Sequence, residues 1–242
     1  MTQREYASLD TSGTQFKSEI EPQTYYGVLR FQRDYNDGRQ GIGVLSTFTG
    51  RFFSETGLKN YINQNAFVAG ADGWTFLDKN RTYVITGWTA FSRVGGNENR
   101  MISLQRGAGH YFQRPDVSYL GVDSSASSLA GSAGRLMLNK NRGKFVLNTA
   151  VGWLSPKFEV NDLGYGSYSD LVNSHLALGY RFNTPTKYYQ NASVNAASYT
   201  NFDFGGNLVN AGFVFNGGIT FKDLSGINLG VTFNPETFNA RR

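Results

Sequence analysis

The stretch GFVFNGGITFKDLSGINLGVTFN (residues 212–234) places Phe213, Phe215, Ile219, Phe221, Ile227, Leu229, Val231 and Phe233 on every second position, interrupted only at Gly217 and at a turn. The positions between carry Asn216, Gly218, Thr220, Lys222, Asn228, Gly230 and Thr232. Side chains alternate between the two faces of a strand, so this is a hairpin whose faces meet different surroundings. A soluble core and a lipid bilayer both fit the pattern taken alone.

Composition narrows the choice. The 242 residues include 29 Gly, 19 Phe and 14 Tyr but only 5 Pro, enough for one large all-β domain or two small ones. Only 17% are charged, against about 25% in ordinary soluble domains, yet the mean hydropathy is −0.38 because Asn, Ser, Thr and Gly fill the space. The net charge of +5 is scattered, with no basic run longer than a pair such as Arg241-Arg242, so no nucleic-acid partner is expected. No window holds the ~20 apolar residues of a transmembrane helix. The absence of cysteine removes disulfides, thiol nucleophiles and Cys-based metal sites. The opening MTQREYASLDTSGTQ lacks an apolar signal region, so the chain is expected to be either cytoplasmic or a piece of a longer protein.

Two-residue alternation and turn chemistry predict ten strands: 24–35, 41–52, 61–76, 82–94, 128–139, 144–154, 171–183, 187–200, 208–222 and 226–234. Most exceed the ~5–6 residues of soluble strands and suit the roughly 9–11 tilted residues of a membrane strand. Short turns such as Asn36-Asp37-Gly38-Arg39 and Asn141-Arg142-Gly143 follow the odd segments, and longer connections (53–60, 95–127, 155–170, 201–207) follow the even ones. That asymmetry belongs to outer-membrane barrels with short turns on one rim and long loops on the other. The expected fold is therefore all-β, an antiparallel up-and-down transmembrane β-barrel. About ten of its strands would be present, the barrel incomplete, with residues 1–23 as linker and 24–242 as the barrel domain truncated at its C-terminal end.

Alternation is clearest where Phe145, Leu147, Thr149, Val151 and Trp153 oppose Val146, Asn148, Ala150 and Gly152, and less clean near Val28, Leu29 and Phe31. Aromatics gather near strand ends. Trp74, Tyr83, Phe182, Tyr188 and Phe221 toward the short turns, and Trp153 toward the long loops, are candidates for interfacial girdles. Lipid is the expected neighbour of the apolar face, and the small, polar face would line a lumen.

Within 95–127, Met101, Leu104, Ala108 and Tyr111 or Phe112 follow a helical period behind Asn97, a ready N-cap, which predicts a short helix around 98–106 ended by Gly107 and Gly109. Such a segment would plug the lumen or cap one mouth. LQR (104–106), YFQRPD (111–116), FQRDYNDG (31–38), NRTYVITGWTAFSRVGG (80–96) and VNDLGY (160–165) resemble an uncharacterised outer-membrane β-barrel family of Bacteroidota. Its full-length members carry an N-terminal, family-nine-like carbohydrate-binding β-sandwich. The resemblance runs from about residue 24 to the end. It implies a bacterial outer-membrane location, outer-membrane lipid as partner, and glycan contact through an N-terminal domain outside this sequence. The ending PETFNARR, without a terminal aromatic, would in that family's pattern continue into more strands.

The chemistry offers few catalytic constellations. His110 and His175 are far apart and lack metal-binding spacing, so no metal and no cofactor are expected. His175 shares its predicted face with Arg181 as a polar lumen residue. Asp116, Asp123, Glu159 and Asp162 are the carboxylates a loop-borne hydrolase would need about 5–10 Å apart, and DSSASS (123–128) sits in no GxSxG elbow. No Gly-rich stretch has the strand, GxGxxG and helix order of a dinucleotide site. The plug and lumen candidates are Arg106, His110, Tyr111, Phe112, Arg114, Asp116, His175 and Arg181. Arg106 and Arg114 are expected to clamp the plug onto Asp116 or wall carboxylates, the alternative being an anion-selective constriction built from these and Arg30, Arg33, Arg93 and Arg135. The functional expectation is a non-enzymatic integral outer-membrane barrel acting as channel, transporter or anchoring scaffold. The alternative is a soluble sandwich or open barrel that binds glycans through exposed Tyr and Trp.

Overall fold

The structure, a computed structural model, describes residues 1–11, 13–115 and 117–237. Ten strands form one sheet: β3 (Gln23–Tyr35), β4 (Gln40–Phe52), β5 (Asn65–Phe76), β6 (Tyr83–Gly95), β7 (Ser128–Lys140), β8 (Phe145–Leu154), β9 (Leu171–Phe182), β10 (Tyr189–Phe202), β11 (Leu208–Phe221) and β12 (Gly226–Phe233). Each pairs antiparallel with the next in strict chain order. All ten expected strands are present, with ends within two residues except at 61–76. There the strand starts at Asn65, because a 3-10 turn at Gly57–Asn60 draws the Tyr61 and Ile62 amides onto the Leu58 carbonyl.

The first short turn shows why the chain reverses where it does. Asn36, Asp37 and Gly38 all take left-handed backbone angles (φ 51°, 57° and 75°), which Asn, Asp and Gly tolerate best, and the Arg39 amide closes the turn on the Asn36 carbonyl. Short and long connections alternate through 155–170. They then become nearly equal at 183–188 and 203–207, since β10 lies two residues further along than expected.

The segment 1–23, expected as linker, differs. It folds into a separate hairpin of β1 (Glu5–Thr11) and β2 (Thr14–Glu21). Buried Glu19 fastens it to the 53–64 connection by accepting the Ser54 and Glu55 amides at 3.0–3.1 Å and Arg4 Nε at 2.9 Å. Burial alone would raise the Glu19 carboxyl, but those hydrogen bonds outweigh it and hold it below its ordinary range.

Residues opposite each other in the ladder share a face, so the register sorts the sheet. One row reads Ile85, Leu138, Thr149, Leu176, Ser198, Phe213, Phe233; a row on the other face reads Gln32, Gly43, Asp72, Trp88, Arg135, Gly152, Asn173, Asn201, Asn210. On the apolar face, the charged residues among those described are Arg33, Arg93 and Lys140, each within two residues of a strand end. Several of its hydroxyls are bonded within the sheet: Thr89 Oγ1 donates to the Ala133 carbonyl, Thr149 Oγ1 to that of His175, and Ser174 pairs with Thr200 at 2.7 Å. Among the apolar residues on the polar face, Val28 and Leu45 are exposed and lie near the β3 edge, where alternation in the sequence is least clean.

The sheet is open. β3 and β12 are its edges, and β12 is exposed along its length. The accessible surface is 14753 Å², whereas a compact monomer of 26.8 kDa would show about 10,800 Å². The apolar face contributes to the excess: Leu29, Phe31, Phe215, Leu229 and Val231 are all more than half exposed.

What core exists lies on the polar face at the rim of long connections. The expected helix forms as α1 (Glu98–Arg106), with the Asn97 side chain accepting the Arg100 amide at 2.9 Å and the Gly107 amide closing onto the Ser103 and Leu104 carbonyls. Its buried Met101 meets Ala66, Val94 and Leu129, three residues in one row of that face, with Leu104 and Ala126 packed around them. We expect Met101→Ala to destabilise this cluster by about 2–4 kcal/mol. Hydrogen exchange should then speed up across 97–127 while β9–β12 keep their protection; equal loosening throughout would mean that the helix supports the whole sheet.

Candidate functional site

The polar face and the loop layer folded onto its rim bring the chemistry-bearing residues together. The connections 96–127 and 155–170 are tied to each other and to the sheet by three buried ion pairs. Arg51 Nη1 meets Asp162 Oδ1 at 2.5 Å; Asn63 Nδ2 donates to Asp162 Oδ2 at 2.7 Å, and Arg100 Nε to Asn63 Oδ1 at 2.8 Å. Arg114 Nη2 meets Asp170 Oδ2 at 2.5 Å, joined by the Tyr119 hydroxyl at 2.8 Å and the Phe204 amide at 3.0 Å. Burial and then the Asp170 contact push the Tyr119 phenol well above its ordinary value.

The third pair is His110 with Glu159, Nε2 to Oε2 at 2.9 Å, both almost fully buried. His110 Nδ1 faces the Pro156 carbonyl at 2.8 Å, and a carbonyl only accepts, so Nδ1 carries a proton. Burial works to raise the Glu159 carboxyl, yet the His110 bond and the Asn161 amide hold it below its ordinary range. The Glu159 carboxylate is thus the partner of Nε2, opposite the Nδ1–H that the Pro156 carbonyl accepts. Ser169 Oγ lies 3.0 Å from the same Nδ1, completing a Ser-His-Glu row. It does not have the polarity of a nucleophile and its base: the ring donates from Nδ1, and the Ser169 hydroxyl is turned to the Pro156 and Gly109 carbonyls at 2.8 and 3.1 Å. The Glu159 amide donates to Ser92 Oγ on β6, which fixes the row to the sheet. A cavity of about 370 Å³ opens beside it, lined by Trp88, His110, Phe158, Glu159, Tyr165 and Tyr168.

Below the loops the polar face carries its own network. Arg30 forks onto Asp72. Arg135 reaches over Gly152 to Asn173 Oδ1 at 3.0 Å and His175 Nδ1 at 3.1 Å. Nδ1 receives a donor and must accept, so Nε2 holds the proton and donates to Asn148 Oδ1 at 2.5 Å; His175 is the neutral tautomer.

His110, Phe112 and Arg114 are buried in the loop layer, with the His110 and Phe112 rings edge to face at 5.6 Å. Tyr111 takes a left-handed backbone (φ 52°) between them. Arg114 pairs with Asp170, the last residue of the 155–170 connection. Arg106 has no ion pair among the described residues and sits exposed at the end of α1. Asp116 lies outside the described residues. His175 and Arg181 are on the polar face. Tyr83, Trp153, Phe182 and Phe221 lie on the apolar face near strand ends, Tyr188 is exposed in the 183–188 turn, and Trp153 covers Gly134. Trp74 departs from its expected place in the girdle: it points to the polar face, over Gly41, with Nε1 bonded to the Gly38 carbonyl at 3.2 Å. Of the hydrolase candidates, Asp162 and Glu159 are bound in the ion pairs above, and Asp123 holds the Ser125 amide and hydroxyl.

Residues 1–241 match the family described as Domain of unknown function (DUF5916). The chain belongs to this family. The match takes in the β1–β2 hairpin as well as the ten-stranded sheet of this DUF5916 domain. No curated protein and no solved structure gives a match.

The Glu159 carboxyl titrates below its unfolded value, so its stabilisation is complete above the ordinary 4.5 and is lost as pH falls through the lowered folded-state value. We expect amide exchange in 155–170, corrected for intrinsic rate, to rise as the pH is taken below 4.5. Glu159→Gln, which takes the buried carboxylate away from His110 and the Asn161 amide, should cost about 3 kcal/mol at pH 7 and abolish that acid transition. A transition of the same size in the variant would remove Glu159 from the account.

Proposed function

We propose that this DUF5916 domain is an integral outer-membrane β-barrel segment without enzymatic activity, serving as channel, transporter or anchoring scaffold. One observation carries the reading: the register gives a single apolar face across ten strands, uncharged except at strand ends. The helix and the ion-paired loops occupy the opposite face. Water has no use for such a face, and exposed apolar patches on soluble monomers rarely exceed a few hundred Å². Lipid does, and strands of 8–14 residues suit the length needed to cross its core.

Open edges are not tolerated within a bilayer. Ten strands in strict alternation leave β3 and β12 running antiparallel to one another, so both edges are oriented to pair in an even-stranded barrel, with each other or with further strands. The anchoring version of the function would hold the carbohydrate-binding domain that the resemblance implies. A soluble glycan-binding module is the weaker reading, because it needs a second layer over the apolar face, and the described loops and hairpin pack elsewhere.

Neighbouring residues on β9 test the reading. Leu176→Arg, on the apolar face, should cost about 2–4 kcal/mol in urea unfolding from lipid vesicles, while Ala177→Arg, on the polar face, should cost under about 1 kcal/mol. Equal costs, or the reverse order, would refute a lipid-facing Leu176.

A further inference from the structure

The polar face is not electrically uniform. Its β3–β6 half is balanced: Arg30 is matched by Asp72, and Arg51 by Asp162. The strands β7–β12 contain no aspartate or glutamate at all. Their polar face carries Arg135, Arg181 and His175 among asparagines that include Asn148, Asn173 and Asn216. Among the described residues no carboxylate pairs with Arg135, half-buried in the middle of β7, and its two side-chain bonds go to the neutral acceptors Asn173 and His175.

Those bonds run in one direction. Arg135 donates to His175 Nδ1, His175 Nε2 to Asn148 Oδ1, and Asn148 Nδ2 to Asn139 Oδ1. Each link donates to the next, so the guanidinium charge polarises a chain across β7, β8 and β9. Arg135 makes two bonds with five N–H groups. The unspent hydrogens of Arg135, together with the Nδ2 groups of Asn173 and Asn139, for which the described residues supply no acceptor, leave a strip of donors without a negative charge to answer them.

We propose that the polar face of β7–β12 is a binding track for small oxyanions, carboxylate or phosphate, with Arg135 and Asn173 as its principal site. A planar guanidinium matches both groups with paired hydrogen bonds, and rings or rows of arginine select anions in pores. His175, fixed as a neutral acceptor, positions Arg135 and leaves its positive charge unanswered. A cation gains nothing here, since every available charge on these six strands is positive. This rests on the reading of the polar face as turned to an aqueous interior.

Two measurements separate the site from the pore. Inorganic phosphate and citrate are titrated calorimetrically into detergent-solubilised protein, and the same protein is placed in planar bilayers across a KCl gradient. At least one of the anions should bind. Arg135→Gln should weaken that binding at least tenfold, and Asn216→Ala on the same face by less than twofold. Arg135→Lys, which keeps the charge, should preserve anion selectivity in the reversal potential, and Arg135→Gln should shift it toward potassium. Phosphate alone binding would make the ligand a phosphoryl group, citrate alone a carboxylate. Affinity unchanged in Arg135→Gln, no heat with either anion, or a cation-selective wild-type conductance overturns the proposal, the last leaving the channel reading intact. Arg135-dependent binding in detergent without conductance sustains the anion site and counts against the channel instead.

Discussion

Everything in this domain depends on the parity of an unbroken antiparallel ladder. With a side-chain period of two, a slip of one residue in any pairing would turn every residue of that strand to the other face. Asp72, Trp88, Arg135, Asn173 and His175 would then meet the surroundings of Leu136, Leu176 and Phe213. Within the ten-stranded sheet the register shifts only at Tyr189/Asn191 and Asn201/Phe202, both at the ends of β10, and the rows between run straight through. On the proposed reading, each charged side chain so misplaced would stand at mid-bilayer at a cost of about 2–4 kcal/mol, and several at once would rival the net stability of an ordinary domain. The paired charges and the exposed apolar side chains are two consequences of one register.

The loop layer answers a different problem. Long connections on one rim have little apolar material with which to fold beyond the small cluster around Met101 and the buried Phe112 and Val117. Their positions are specified by charges instead: Asp162 receives Arg51 and Asn63, Asp170 receives Arg114 and Tyr119, and Glu159 receives His110. Desolvation offsets much of the attraction in such pairs, so they add little net stability, but breaking one leaves an unanswered buried charge. They act as locators. Glu19 does the same for the β1–β2 hairpin by capping backbone amides of the 53–64 connection.

The two kinds of order differ in how legible they are in the sequence. The ten strands and α1 are local, written in alternation, turn residues and an Asn97 cap, and their limits follow to within a residue or two except at the start of β5, where the 3-10 turn at Gly57–Asn60 intervenes. The β1–β2 hairpin escapes because its sequence is polar and its anchor, Glu19, works through residues some 35 positions away. Trp74 resembles a girdle residue in every local respect, and only the pairing of β4 with β5, which sets it over Gly41, turns it to the polar face. Arg114 and Asp170 stand 56 residues apart, His110 and Glu159 49. A carboxylate partner for Arg114 follows from charge alone, but which one requires the fold. The hydrogen-bonded chain from Arg135 is hidden for the same reason, although the lack of acidic residues throughout β7–β12 stands in the sequence.

The central claim is that the two faces meet two solvents, and the three tryptophans report on it directly, because Trp153 lies on the apolar face and Trp88 on the polar one. In vesicles containing brominated lipid, a chain with Trp153 alone, its other tryptophans replaced by Phe, should be quenched by the bromines and shielded from aqueous iodide. A chain with Trp88 alone should show the opposite. If bromolipid leaves Trp153 bright and iodide reaches it, the apolar face does not meet lipid, and the account of this domain as a membrane barrel is contradicted.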